Sequence, residues 1–142
     1  MKTLKTIILG LALMAVCGIA NAKILTNGEN LTKNHAINTY VDAMTRGKVD
    51  GLNDVLAKTA AFSMLRGKEV LSFSKKQMVD YLQTNKNTEL ACTTSTSVVE
   101  NNDTVMVVKV DMKFDGFTRC NYVTVANTGQ GWKITNVYSV FI

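Results

Sequence analysis

The sequence predicts an α+β fold: three N-terminal helices with a hairpin, packed in the concave face of a curved antiparallel sheet. Two observations predict it. Up to Thr84 the apolar residues recur mainly at helical spacing, whereas from Glu89 onward they alternate at strand spacing between explicit turns. A third bears on organisation. The 142 residues contain no proline, no repeat and no low-complexity stretch, so no linker or second domain is expected.

The chain opens with a leader. Lys2 and Lys5 precede an uncharged run from Ile7 to Ala20, and Ala20-Asn21-Ala22 offers small residues at both positions a signal peptidase inspects. Residues 1–22 are therefore expected to be a signal peptide, cleaved before Lys23. Residues 23–142 would form one secreted or periplasmic domain. The apolar run is shorter than the roughly 20 residues of a membrane span, so no membrane anchor is expected after cleavage. Acylation of Cys17 is the alternative, but Val16 stands where a small residue is wanted.

Ile37, Tyr40, Val41 and Met44 mark one face of the first helix, with Thr32 or Asn34 as cap and Arg46-Gly47 as close. A second helix is expected over Asp50 to Ala57, carrying Leu52, Val55 and Leu56. Ala60 to Leu65 and Val70 to Ser74 then flank Arg66-Gly67-Lys68-Glu69, a type II′ hairpin that sets Phe62 opposite Phe73 and Met64 opposite Leu71. A third helix over Lys75 to Thr84 buries Met78, Val79 and Leu82. Four strands follow, Glu89–Glu100, Thr104–Phe114, Phe117–Asn127 and Trp132–Ile142. Asn101-Asn102-Asp103, Asp115-Gly116 and Thr128-Gly129-Gln130-Gly131 are their turns.

Composition excludes several functions. Without Lys2 and Lys5 the basic residues fall from 16 to 14 against 11 acidic ones, and only Lys75-Lys76 are adjacent. No nucleic-acid face is expected from so scattered a charge. One histidine, His35, and two isolated cysteines, Cys92 and Cys120, show no metal-ligand spacing, so no metal is expected. Gly129-Gln130-Gly131 leads into a strand rather than a helix, so no phosphate cradle and no cofactor is expected. Cys92 and Cys120 fall on strands with a third between them. Two strand spacings, about 9.6 Å, exceed the roughly 7 Å Cα limit for a disulfide.

This order of elements resembles the nuclear transport factor 2-like (NTF2-like) superfamily, also described as a cystatin-like α+β cone. The Tyr40 to Met44 helix face, the Phe62 to Arg66-Gly67 hairpin and the closing Gly131-Trp132-Lys133-Ile134 strand carry the likeness. Within the superfamily, exported bacterial members labelled "putative lumazine-binding" are the most similar. The resemblance implies a cavity between helices and sheet that holds a small molecule of unknown identity.

The turns set the side-chain register. Phe114 opposite Phe117 and Asn127 opposite Trp132, with Met106, Val108, Val110, Met112 and Phe114 facing the helices, direct Phe117, Arg119, Asn121, Val123 and Val125 inward. From the last strand Trp132, Ile134, Asn136, Tyr138 and Val140 follow. Arg119, Asn121, Asn136 and Tyr138 are then polar groups on an inward face, where each needs a partner. The partner is either a wet cone mouth or a ligand. For a ligand, Arg119 suits a carboxylate, phosphate or ring carbonyl, and the other three would read neutral heteroatoms. Tyr40 and Tyr81 would stack on it or cap the opening, though Tyr40 is better placed to fill the core.

Isomerases, cyclases and dehydratases of the superfamily carry an Asp or an Asp–His pair in the cavity. Here no carboxylate of the last three strands is directed inward, and His35 shares a helix face with Thr39 and Asp42. No catalytic residue is assigned, and the expectation is a binding domain rather than an enzyme of those types. Asp80 and Glu89 would be the bases if the register slipped. An interaction module with a filled pocket is the remaining possibility. The resemblance also implies a homodimer through the outer sheet face, whose expected apolar row is Val105, Val107, Cys120, Tyr122, Ala126, Val137 and Phe141.

Overall fold

The computed structural model describes residues 32–142; the leader, Cys17 and the cleavage before Lys23 lie outside the described residues. Helix α1, Lys33–Arg46, forms over the apolar i, i+3, i+4, i+7 spacing. Thr32 caps it, the hydroxyl accepting from the His35 amide at 3.2 Å, which satisfies one of the amides a helix start leaves open. Gly47 ends it at φ 64°. A Cβ there would stand 2.6 Å from the Asn87 amide nitrogen and 2.7 Å from the Asn85 carbonyl oxygen. Only glycine tolerates both the dihedral and this approach. The approach has a purpose: Asn87 donates its amide to the Gly47 carbonyl at 2.9 Å, and Leu90 to that of Thr45 at 2.7 Å. Residues 85–92 are thereby tied to the end of α1.

The second helix, α2, is a single turn, Leu52–Val55. It is shorter than the expected Asp50 to Ala57 because Leu56 is already extended, at φ −90° and ψ 132°, and starts strand β1, Leu56–Arg66. Lys75 Nζ donates to the carbonyls of Asn53 (2.9 Å) and Leu56 (3.1 Å), and Lys133 Nζ to that of Asp54. Two cations thus meet the negative end of this turn. The β1–β2 hairpin, with β2 at Glu69–Ser74, pairs Phe62 with Phe73, Met64 with Leu71 and Arg66 with Glu69, as expected. Gly67 has φ 64°, and Asn87 is the one non-glycine residue at positive φ among the described residues, so Lys68 keeps the negative φ of a type II′ turn. Helix α3, Lys75–Thr84, opens with a capping box between Ser74 and Gln77.

Four strands complete the sheet: β3 Thr93–Asn101, β4 Val105–Lys113, β5 Thr118–Thr128 and β6 Gly131–Phe141. Their order is β2-β1-β6-β5-β4-β3 in one curved, unclosed sheet. The sheet is not wholly antiparallel. β1 lies parallel to β6, because the first strand of the hairpin, not the second, docks on the free edge of β6. Parallel neighbours need a long crossover, here everything from β2 to β5. β3 starts later than Glu89 because the preceding loop is held by α1.

The core sits between α1, α2, α3 and the inner face. Tyr40, Leu52, Met106, Val108, Val110, Met112, Val123, Val125, Ile134 and Val137 are fully buried there, each aliphatic contributing about 1.5–3 kcal/mol on burial. Val137 belongs to this set because of a bulge. Val125 pairs with Ile134 but Thr124 pairs with Asn136, so Thr135 is an extra residue in β6, its hydroxyl donating to the Thr124 carbonyl at 3.4 Å. One extra residue reverses every later side chain. Val137, Ser139 and Phe141 therefore point inward, and Asn136, Tyr138 and Val140 point outward, opposite to the regular alternation.

Candidate functional site

Where β5 begins and β6 ends, the inner face turns from apolar to polar. Asn121 is the hub. It is fully buried opposite Val110 and beside Ser139. Its Oδ1 accepts from Arg119 Nε at 3.0 Å and from Ser139 Oγ at 2.7 Å. Its Nδ2 donates to the Val110 carbonyl at 3.3 Å and contacts Met112 Sδ at 3.4 Å. Arg119 Nη2 donates to Ser139 Oγ at 3.3 Å, which closes a triangle of three side chains. Asn121 is thereby satisfied, as a buried amide must be.

Arg119 is not satisfied in the same way. Among the described residues its partners are two neutral oxygens, and no carboxylate lies within ion-pair distance. Its guanidinium carbon stands 5.9 Å from the Phe141 ring centroid, a cation–π contact. Tyr40 comes from α1 into the same electrostatic neighbourhood. It is 1 % exposed, and its hydroxyl has no hydrogen-bond partner among the described residues. Burial pushes its pKa up to about 12, and the Arg119 charge acts in the opposite sense. A cation without a counter-ion and a buried phenol without an acceptor thus share one end of the interior.

Phe141 also walls an open depression of about 490 Å³ lined with Met64, Leu65, Arg66 and Gly67 of the hairpin. Phe117 stacks on Phe114 with centroids 4.8 Å apart and tilts against Phe141 at 6.2 Å. Phe117 and Phe141 remain 43 % and 44 % exposed, so the polar cluster is rimmed by accessible aromatic rings.

A family described as "Putative lumazine-binding" matches residues 31–139. The chain belongs to that family. No curated protein matches it. Solved structures share the fold. An NTF-2 like protein of unknown function from Silicibacter pomeroyi DSS-3 is 19% identical with a TM-score of 0.59, covering 83% of this chain and 98% of its own. A cystatin-like fold protein from Burkholderia xenovorans LB400 is 14% identical with a TM-score of 0.61, covering 82% and 94%. An NTF2-like protein of unknown function from Shewanella baltica OS155 is 7% identical at 0.60, covering 86% and 98%.

The structure brings together two of the site residues expected from sequence, Arg119 and Asn121, with Tyr40 buried within electrostatic reach of Arg119. It sends Asn136 and Tyr138 to the other face, where Tyr138 lies opposite Tyr122. The bulge at Thr135 is the reason. Ser139, absent from the sequence-based set, takes their place. Tyr81 is exposed on α3 and stands apart. The described carboxylates are exposed or half-buried. Asp80 pairs with Lys76 at 2.5 Å and Asp42 with Arg46 at 3.2 Å. Glu89 is exposed, and His35 is half-buried on the first turn of α1. Cys92 and Cys120 are free thiols on opposite sides of β4.

Proposed function

We propose that the chain is an exported domain that binds a small molecule and performs no chemistry on it. One observation carries the reading: the half-buried Arg119 holds a charge that no carboxylate among the described residues neutralises, and the buried Tyr40 hydroxyl has no hydrogen-bond partner among them. The family's printed description points the same way. General acid–base chemistry would need a titrating base at hydrogen-bond reach. The groups at the cluster are a guanidinium, an amide, an aliphatic hydroxyl and a phenol held protonated. Native mass spectrometry of the protein purified from its own source should show a co-purifying small molecule that Arg119→Met no longer retains. A ligand-free spectrum, or equal retention by the variant, would refute this reading.

The second surface is the outer sheet face, for which we propose self-association. The bulge changes its membership: Tyr138 and Val140 join Val105, Val107, Cys120, Tyr122 and Ala126, while Val137 and Phe141 leave. Tyr122 lies opposite both Tyr138 and Lys109, so the centre of the patch is aromatic. A two-fold contact would bury it against its own copy. Light scattering should return twice the monomer mass, and Tyr122→Lys should halve it without altering ligand retention.

A further inference from the structure

The proposed ligand site also constrains the chemistry of its ligand, and this step rests on that site holding a ligand at all. We propose that the ligand is a monoanion, a single carboxylate carried on a flat aromatic body. The charge follows from what surrounds Arg119. Its Nε and Nη2 are engaged by neutral oxygens, its Nη1 has no acceptor, and no carboxylate neutralises it among the described residues. The neighbouring donor, the Tyr40 hydroxyl, is neutral, buried and likewise without an acceptor. An oxygen anion that accepts from both would satisfy two groups that the fold leaves open, and charge-assisted bonds of this kind are the strong ones.

One charge is matched, not two. The guanidinium of Arg66 is exposed at the depression, outside the polar cluster, and sits across the hairpin from Glu69, so it adds no desolvated charge to the cluster. A phosphate dianion would remain half-neutralised beside the buried Met112 and Val110. Desolvating that second charge is costly. A carboxylate has the planar two-oxygen edge that a guanidinium fork meets.

The body follows from the rim. Met64, which pairs with Ser139 across β1 and β6, and Phe141 both border the polar cluster on one side and the depression on the other. Phe114 and Phe117 extend this aromatic wall. Flat rings gain offset or edge contacts with such a wall beyond simple burial. The occupant is therefore apolar where it leaves the cluster and anionic where it enters.

The test uses the full chain expressed for export and purified, titrated calorimetrically at neutral pH with 2-naphthoate, 2-naphthamide and 2-naphthyl phosphate. These share one ring system and differ in charge. The carboxylate should bind at least about tenfold more tightly than the neutral amide, the size of one charge-assisted bond, and more tightly than the phosphate. Arg119→Met should bring 2-naphthoate down to the affinity of the amide and leave the amide unchanged. Arg119→Gln, which keeps donors without charge, should do the same, and it serves if the methionine variant does not fold. An amide that binds as tightly as the acid, or a phosphate that binds more tightly, overturns the monoanion assignment while the pocket stands. If wild-type protein binds none of the three, the ligand-site reading falls with it.

Discussion

Strands β4 and β5 carry one polar cluster on each face, and the two are built on opposite plans. On the outer face Lys109 Nζ meets Asp111 Oδ2 at 3.1 Å, with both side chains about a third exposed and Cys120 directly across from Asp111. Desolvation, then the adjoining Asp111, pushes the Cys120 thiol up, which keeps it protonated and unreactive. On the inner face, one residue further along, Arg119 stands opposite Met112 and is surrounded by neutral groups. Each face thus holds a cation, but only the outer one holds its counter-ion. The outer cluster neutralises its own charge. The inner one is arranged around a charge that the described fold does not balance, which is why the binding site is proposed on that face.

The comparison breaks first at Asn121. Because Asn121 holds both Arg119 and Ser139, Asn121→Ala would leave the buried Ser139 hydroxyl and the half-buried Arg119 Nε without their shared acceptor. Each such group costs about 1–3 kcal/mol, so a total loss of about 3 kcal/mol is expected in urea unfolding, together with loss of ligand. Truncating Lys109 on the outer face should cost well under half as much. Equal losses on the two faces would remove the distinction between them.

Tyr40 sharpens the comparison next. Its pKa is raised from 10 to about 12 by burial, so the folded state holds this proton more tightly than the unfolded state does. A raised value contributes its stability in full below pH 10, and the contribution is lost as the pH climbs through 12. At about 1.4 kcal/mol per unit, roughly 2–3 kcal/mol should disappear over that interval in wild-type protein, and Tyr40→Phe should not show this loss. Below pH 10 the same variant should be as stable as wild type or about 1 kcal/mol more so, since it deletes a donor that has no acceptor. Ligand retention should nevertheless fall. Had the hydroxyl been satisfied by protein, Tyr40→Phe would be destabilising instead.

Most of the fold was legible because its signals are local. Thr32 and Gly47 bound α1 through capping chemistry, Gly67 sets the first hairpin, and Asp115-Gly116 sets the β4–β5 register that directs Arg119 and Asn121 inward. The parallel β1–β6 pairing was not legible, since nothing in either strand states which edge it will meet. The site was half legible for one reason, the bulge at Thr135. Beyond Ile134 the two alternations, Asn136-Tyr138-Val140 and Val137-Ser139-Phe141, each offer apolar and polar members, so periodicity cannot choose between them. A signal did exist. The unbulged register sets Asn136 opposite the core residue Val123, whereas the observed one sets Val137 there, and apolar cross-strand pairing favours the second.

The smallest expected effect tests the outer cluster directly. Lys109 and Asp111 are partly solvated, and exposed ion pairs contribute about 0–1 kcal/mol. A double-mutant cycle with Lys109→Met and Asp111→Asn should give a coupling inside that range at low ionic strength, shrinking further as salt screens it. One detail makes the measurement informative. Asp111 Oδ1 is buried and accepts no hydrogen bond among the described residues, so this carboxylate is more desolvated than its overall exposure suggests. Covering the face with a second copy would desolvate the pair further and strengthen the coupling. The cycle should therefore be run across a dilution series. A coupling that stays below about 1 kcal/mol at every concentration leaves Lys109–Asp111 at the rim of any self-association surface. A coupling that rises with protein concentration places the pair inside it, and the outer face then completes its polar groups with a copy of itself, as the inner face is proposed to do with a ligand.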